Sequence, residues 1–95
     1  MDKTSLEKDK KLLVVTLRKL KSSKDLSAII DDLLTEEEIL DLAQRIKIAK
    51  LILEGKTYDE ISEKVNTSTA TVSKIGQIIK YGKGGLQKAL VKKQI

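Results

Sequence analysis

The 95-residue sequence contains no cysteine and no histidine. Without cysteine the chain cannot form a disulfide, a thiolate metal site or a cysteine nucleophile. Without histidine it lacks the side chain that most often acts as a general base or metal ligand near neutral pH. Together these absences exclude most catalytic triads and most zinc sites. We therefore expect no enzymatic activity, no cofactor and no bound metal.

Proline, phenylalanine and tryptophan are absent as well, and Tyr58 and Tyr81 are the only aromatic residues. A chain without proline can form long uninterrupted helices, and its core has to be built from Leu, Ile, Val and Ala. The alternation of apolar and polar residues that indicates strands is scarce. The sequence therefore predicts an all-α fold.

Long apolar segments are missing too. The residues around Met1 are charged, and no segment approaches the roughly 20 apolar residues that a membrane-spanning helix requires. We therefore expect no membrane partner and a cytoplasmic location. A chain of 95 residues suits one domain, residues 1–95, with a modest core that a second subunit would enlarge.

Acidic residues are missing from the last third of the chain. The net charge is +5, and charges are nearly balanced up to residue 56, but no Asp or Glu follows Glu63. This cationic segment favours a polyanionic partner, because lysines that neutralise phosphates release counterions. A lysine-rich solvated tail is the alternative explanation of the charge alone. The lysines after Glu63 are Lys64, Lys74, Lys80, Lys83, Lys88, Lys92 and Lys93.

Apolar spacing and capping signals predict six helices. Thr35 with Glu38 and Thr57 with Glu60 have capping-box spacing, which marks two helix starts, and Gly55 suits a left-handed helix end. The central helix is apolar on more than one face, which indicates contact with a second copy. The assignments are N-terminal dimerisation helices within 1–34 (about 5–21 and 25–34), a central helix in 35–55, a helix-turn-helix in 57–81 and a C-terminal helix in 86–93.

The two helices within 57–81 have the register of a DNA-binding helix-turn-helix, in which the first helix braces the second. Asn66 falls at the turn, where it can adopt a left-handed backbone. Asn66 and Ser62 depart from the Gly and the small Ala that such motifs usually have at these positions. The residues spaced to face inward are Ile61, Val65, Val72 and Ile75.

The outer side of the second helix carries short polar residues that could approach base edges closely. Hydroxyl groups can donate or accept, Ala or Thr methyl groups can meet a thymine methyl, and Lys74 or Gln77 can reach bases or phosphates. A purely structural helix would more often carry pairs of Glu and Lys there. The residues predicted to bind double-stranded DNA are Ser68, Thr69, Ala70, Thr71, Ser73, Lys74, Gln77 and Lys80.

Five short motifs are spread over the chain from residue 33 to residue 85. They are Leu33-Leu34-Thr35, Ala43-Gln44-Arg45, Leu53-Glu54-Gly55-Lys56-Thr57-Tyr58, Ser68-Thr69-Ala70-Thr71-Val72-Ser73 and Tyr81-Gly82-Lys83-Gly84-Gly85. Together these motifs resemble those of the Trp repressor superfamily, and most closely the small Trp-repressor-related proteins without an assigned effector. The resemblance implies a six-helix, intertwined homodimer whose recognition helices enter successive major grooves of a palindromic operator, and we expect a repressor.

The resemblance also locates a candidate effector pocket. In effector-binding members tryptophan lies between the central and recognition helices, held by two arginines that correspond to Arg45 and Lys74. The glycine that admits the indole ring corresponds to Ile75, and a hydroxyl residue further along to Ile78. Because close-packed sites tolerate little added volume, we expect no response to tryptophan. An alternative role for Arg45 is an ion pair with Asp41 or another acid. Binding of a small effector other than tryptophan is also an open alternative.

Two other classes of function compete with DNA binding. An oligomeric protein–protein interaction module would pack the same helix pair on another protein, with the lysines serving only solubility. An enzyme would have to rely on its carboxylates, but these cluster at predicted helix starts, where capping already explains them. The operator, the regulated genes and the choice between activation and repression cannot be read from the sequence.

Overall fold

The computed structural model describes residues 3–91, and within them it contains six α-helices and no strand. The order confirms the predicted all-α, six-helix fold. Among these helices none combines the length and apolarity needed to span a bilayer. The helices are α1 (Lys3–Arg18), α2 (Ser23–Leu33), α3 (Glu36–Leu53), α4 (Tyr58–Val65), α5 (Thr69–Tyr81) and α6 (Gly85–Leu90).

Local hydrogen bonds explain where the observed helix ends differ from the predicted ones. The first helix ends at Arg18 because the amides of Lys19 and Leu20 turn back to carbonyls three residues earlier, at 3.3 and 3.1 Å. The second begins at Ser23 because the Ser22 hydroxyl caps it. The last helix ends at Leu90 with Val91 as its extended C-cap, and residues 92–93 of the predicted 86–93 helix lie outside the described residues.

The chain divides into two compact units at the bond between residues 37 and 38. The N-terminal unit contains α1 and α2, and neither helix has a fully buried residue. Most of its large apolar side chains are exposed, with Leu12 67% and Leu33 55% accessible in the single chain. The assignment of residues 1–95 to one domain stays a prediction. The other exposed apolar side chains of this unit are Leu6, Leu13, Val14, Val15, Leu17, Leu26 and Ile30.

The C-terminal unit contains nearly all of α3 together with α4, α5 and α6, and it holds the buried core of the described residues. Partly buried apolar side chains from all four helices surround this core. Helices α4 and α5 therefore pack on α3, and α6 contacts the same core through Leu86 and Leu90. The buried residues are Ile48 and Ala49 of α3, Ile61 of α4, and Val72 and Ile75 of α5.

Ile61 tests how far this core stabilises the fold. Its side chain is 1% exposed and joins α4 to the core, so we expect Ile61→Ala to reduce the free energy of unfolding by about 2–5 kcal/mol. Val91→Ala is the control, because Val91 is 54% exposed and its truncation should change stability by no more than about 0.5 kcal/mol. Urea denaturation followed by circular dichroism measures both. Equal effects of the two substitutions would contradict the assignment of Ile61 to the core.

Candidate nucleic-acid interface

The start of α4 is fixed by a capping box. The amide of Glu60 donates to Thr57 Oγ1 at 3.1 Å, and the amide of Thr57 donates to Glu60 Oε2 at 3.1 Å. Both bonds satisfy amides that a helix start leaves without a partner. The structure thus confirms the predicted cap and places Ile61, four residues after Thr57, toward the core.

The turn between α4 and α5 is held by Ser62 and by the left-handed backbone of Asn66. Asn66 ends α4 at φ 58° and ψ 56°. This is the left-handed conformation that the sequence predicts for the turn. The amides of Asn66 and Thr67 both donate to the Ser62 carbonyl, and the Ser62 hydroxyl donates to the Thr67 carbonyl. The residue that replaces the usual Ala therefore adds a hydrogen bond across the turn.

Ser68 caps α5, with an extended backbone and its hydroxyl accepting the Thr71 amide at 3.1 Å. The Ser68 and Thr71 hydroxyl oxygens also lie 3.0 Å apart and share a hydrogen bond. Both side chains are exposed, as predicted for a DNA-facing position. Their hydroxyls already form hydrogen bonds within the first turn of α5.

Burial alternates along α5 in a way that fixes its rotation about its own axis. Val72 is 0% and Ile75 4% exposed, and Gly76 is also buried. These residues lie on one side of the helix, since positions three and four apart share a face. The inward assignment of Val72 and Ile75 is confirmed by this burial.

The opposite side of α5 is open to solvent and carries most of the residues predicted to contact DNA. Ser73 is partly buried at the edge of this face, so its hydroxyl is less accessible than the sequence suggested. Because this side faces away from the core, no residue that the structure describes in the C-terminal unit buries it. The exposed members of the predicted set are Ser68, Thr69, Ala70, Thr71, Lys74, Gln77 and Lys80.

Tyr58 packs closely on α5 at Gly76. A Cβ atom added to Gly76 would overlap the Tyr58 hydroxyl and lie 3.0 Å from Cζ of the ring. The absence of a side chain at Gly76 thus allows the first residue of α4 to lie against the backbone of α5. The contact adds a second brace between the two helices, on top of the core that Ile61 and Val72 form.

A cleft of ≈ 320 Å³ lies between α3 and α5 within the C-terminal unit. Arg45 and Lys74, the two residues predicted to hold an effector, both line it. Asp41 lines it too, so the carboxylate considered as an ion-pair partner for Arg45 belongs to the same cleft. The remaining lining residues are Gln44, Ile48, Thr71, Ile75 and Ile78.

Ile75 and Ile78 limit what this cleft can accept. Ile75 is 4% exposed because it belongs to the core, whereas Ile78 is 46% exposed beside the opening. Two branched apolar side chains therefore lie on the α5 side of the cleft, which also carries Thr71 and Lys74, and the other polar groups lie on α3. Such a wall leaves less room for a flat ring than a glycine would.

The lysines after Glu63 are exposed where the structure describes them. Lys64 ends α4, Lys74 and Lys80 lie on α5, and Lys83 and Lys88 follow in the loop and in α6. No acidic residue lies among them in the sequence. Lys92 and Lys93, which the sequence assigned to the same cationic surface, lie outside the described residues.

Two contacts of this region are not predicted by the sequence pattern. The pattern marks Ser62 only as a departure from the usual Ala, whereas its hydroxyl donates a hydrogen bond across the turn. Gln87 belongs to no predicted site, yet its Nε2 donates to the Ile79 carbonyl at 2.6 Å and joins α6 to the end of α5. Both contacts join residues in different helices or turns, and apolar periodicity carries no signal for them.

Comparison with known proteins places the chain in a family. A family model described as Trp repressor protein matches residues 8–94. The Bacillus subtilis (strain 168) protein YerC, described as uncharacterized, is 38% identical over 71 residues, which cover 75% of this chain and 68% of YerC. The crystal structure of a TrpR like protein from Eubacterium eligens ATCC 27750 matches with a TM-score of 0.76 and 34% identity, covering 83% of this chain and 81% of its own. These matches confirm the resemblance and the fold inferred from the sequence motifs.

Asn66 tests the geometry of the turn. Its φ of 58° is unfavourable for a β-branched residue, so we expect Asn66→Val to reduce the free energy of unfolding by about 1–2 kcal/mol. Asn66→Gly is the matched variant, and because glycine adopts this conformation freely it should stay close to the unsubstituted protein. Thermal or urea unfolding compares the two. A Val variant as stable as the Gly variant would show that residue 66 is not left-handed in solution.

Proposed function

The chain belongs to the Trp repressor protein family, and we propose that it is a transcriptional regulator that binds specific double-stranded DNA through α5. The observation that carries this proposal is the solvent-exposed face of α5, with small polar side chains and Lys74, next to a segment without acidic residues. In this reading α4 braces α5, and the N-terminal part of α5 enters the major groove.

The side chains on α5 suit direct contact with bases. Thr69 and Ala70 are short and exposed near the start of the helix, which allows the backbone to approach the base edges. Lys74 can donate to guanine O6 or N7, and Gln77 can pair with adenine N6 and N7. Together these groups supply both the donors and the methyl contacts that sequence recognition requires.

The exposed lysines supply the contacts to the DNA backbone. Lys80, Lys83 and Lys88 follow the recognition residues and meet no neighbouring acid in the sequence. Each phosphate that they neutralise releases counterions and strengthens binding to any duplex. The lysines therefore set the affinity, and the residues near the start of α5 set the sequence preference.

We further propose that the active form is a homodimer that represses transcription from a palindromic operator. Several apolar side chains of α3 are exposed in the single chain, including Leu40 at 68% and Ile46 at 47%, as are those of α1 and α2. Exposed apolar residues on three helices are more than a monomer of this size usually leaves uncovered. A dimer would bury them and repeat the recognition helix for two half-sites.

In this role the protein carries out no catalytic step, uses no cofactor and acts on DNA in the cytoplasm. The cleft lined by Arg45 and Lys74 would not accept tryptophan, because Ile75 and Ile78 occupy the wall that the indole ring needs. DNA binding is therefore expected without added tryptophan.

Lys74 provides the test of DNA binding. A duplex selected from a random pool should show two symmetric half-sites. The logarithm of its association constant should fall linearly with the logarithm of the salt concentration, with a slope of about −0.9 per neutralised phosphate. We expect Lys74→Glu to abolish binding, because it places a carboxylate on the exposed face of α5. Lys24→Glu makes the same change of charge on α2 and should leave most of the affinity.

Fluorescence anisotropy of the labelled duplex measures both variants. An equal loss of affinity in both variants would mean that Lys74 acts only through the net charge of the protein. If the unsubstituted protein binds no duplex from the pool, the alternative function as a protein–protein interaction module is favoured.

Sedimentation equilibrium tests the dimer. We expect a mass of twice the 10.6 kDa chain at micromolar concentration. Leu12→Glu places a charge on the exposed apolar side of α1 and should shift the protein toward the monomer. Lys10→Glu, an already charged and exposed position on the same helix, is the control and should leave the mass unchanged. A 10.6 kDa species for the unsubstituted chain would rule the dimer out.

A further inference from the structure

Tyr81 has an unusual position for an aromatic residue. It is the last residue of α5 and is 74% exposed, the highest value among the large apolar side chains that the structure describes as exposed. The other tyrosine, Tyr58, is 42% exposed and packs against Gly76. The core therefore does not use the ring of Tyr81, and its position needs another explanation.

Tyr81 continues the line of residues that the proposed function assigns to DNA. Ala70, Lys74, Gln77 and Tyr81 follow one another at intervals of four, three and four residues and so lie along one side of the helix. All four are exposed. The same face that presents Ala70 near the start of α5 thus presents the phenol at its end.

The surroundings of the ring are cationic. Lys80 Nζ lies 5.9 Å from the centre of the Tyr81 ring, within the range of a cation–π contact. Lys83 follows in the loop, and the glycines at 82, 84 and 85 have no side chains that could cover the ring. An anionic partner would meet the phenol hydroxyl and the ammonium groups together.

The length of α5 indicates which part of a DNA duplex Tyr81 would meet. Tyr81 lies eleven positions after Ala70, which is about 16 Å along the helix axis. The major groove is about 12 Å wide. With Ala70 at the base edges, Tyr81 lies past the edge of the groove, where phosphates and deoxyriboses are found.

We propose that Tyr81 contacts the DNA backbone, with its phenolic O–H donating to a phosphodiester oxygen beside the groove that α5 enters. The contact rests on the proposed DNA binding and extends it to a residue that the charge pattern does not reveal. A neutral phenol binds a phosphate without releasing a counterion. Tyr81 would therefore add affinity without adding to the salt dependence, unlike the lysines beside it.

Two substitutions test the contact on the selected duplex. We expect Tyr81→Ala to weaken binding about tenfold, the size of a hydrogen bond to a charged group, with the slope of affinity against salt unchanged. Tyr81→Phe keeps the ring and removes the hydroxyl, so it should show most of the same loss. Val91→Ala, another exposed apolar position, is the control and should bind as the unsubstituted chain does.

Tyrosine fluorescence reports on the contact directly. The chain has no tryptophan and only two tyrosines, so Tyr81 is the only emitter in a Tyr58→Phe variant. We expect its emission to change during titration with duplex, at the midpoint given by anisotropy. The proposed contact would be wrong if the emission did not change and if Tyr81→Ala bound the duplex with an affinity within twofold of that of the unsubstituted chain.

The outcomes separate this contact from the proposed function. If the unsubstituted chain binds no duplex, DNA binding fails and the contact fails with it. If the unsubstituted chain binds and both Tyr81 variants bind equally well, only the contact fails. If Tyr81→Ala instead changes the sedimenting mass, the ring contacts a second copy of the chain and the backbone contact is wrong.

Discussion

The packing of Val72 and Ile75 against Ile48 and Ile61 governs the orientation of α5 and therefore the candidate interface. Because helix positions three and four apart share a face, fixing these two side chains in the core fixes the rotation of α5. Every residue on the opposite side then faces solvent, whatever its chemistry. The exposure of Ala70, Lys74, Gln77 and Tyr81 is thus a consequence of packing among branched aliphatic side chains.

The turn before α5 sets the direction in which this face points. A glycine would adopt the left-handed conformation at residue 66 without strain, whereas asparagine does so at some cost. The Ser62 hydroxyl and carbonyl bind the turn from the preceding helix, and the capping hydroxyl of Ser68 begins the next one. The two departures from the usual turn sequence therefore belong to one hydrogen-bonded arrangement.

Local features of the fold could be predicted from the sequence, because caps and apolar spacing act between residues a few positions apart. The starts of α4 and α5, the left-handed Asn66 and the inward Val72 and Ile75 are of this kind. The bond from Gln87 to Ile79 and the contact of Tyr58 with Gly76 could not be predicted, since each depends on how separate helices meet. Arg45 and Lys74 line one cleft in the structure. Their proximity could be predicted only from the family resemblance, because the two residues are far apart in the sequence.

Binding of DNA by the exposed face of α5 can be observed residue by residue through amide chemical-shift mapping. Isotope-labelled protein is titrated with a duplex recovered by selection, and the shift of each backbone amide is followed by NMR. If α5 enters the groove, the largest changes will lie between Ser68 and Tyr81, with small changes at the buried residues of α3. Changes confined to α1 and α2, with the amides of α5 unaffected, would show that α5 does not bind the duplex.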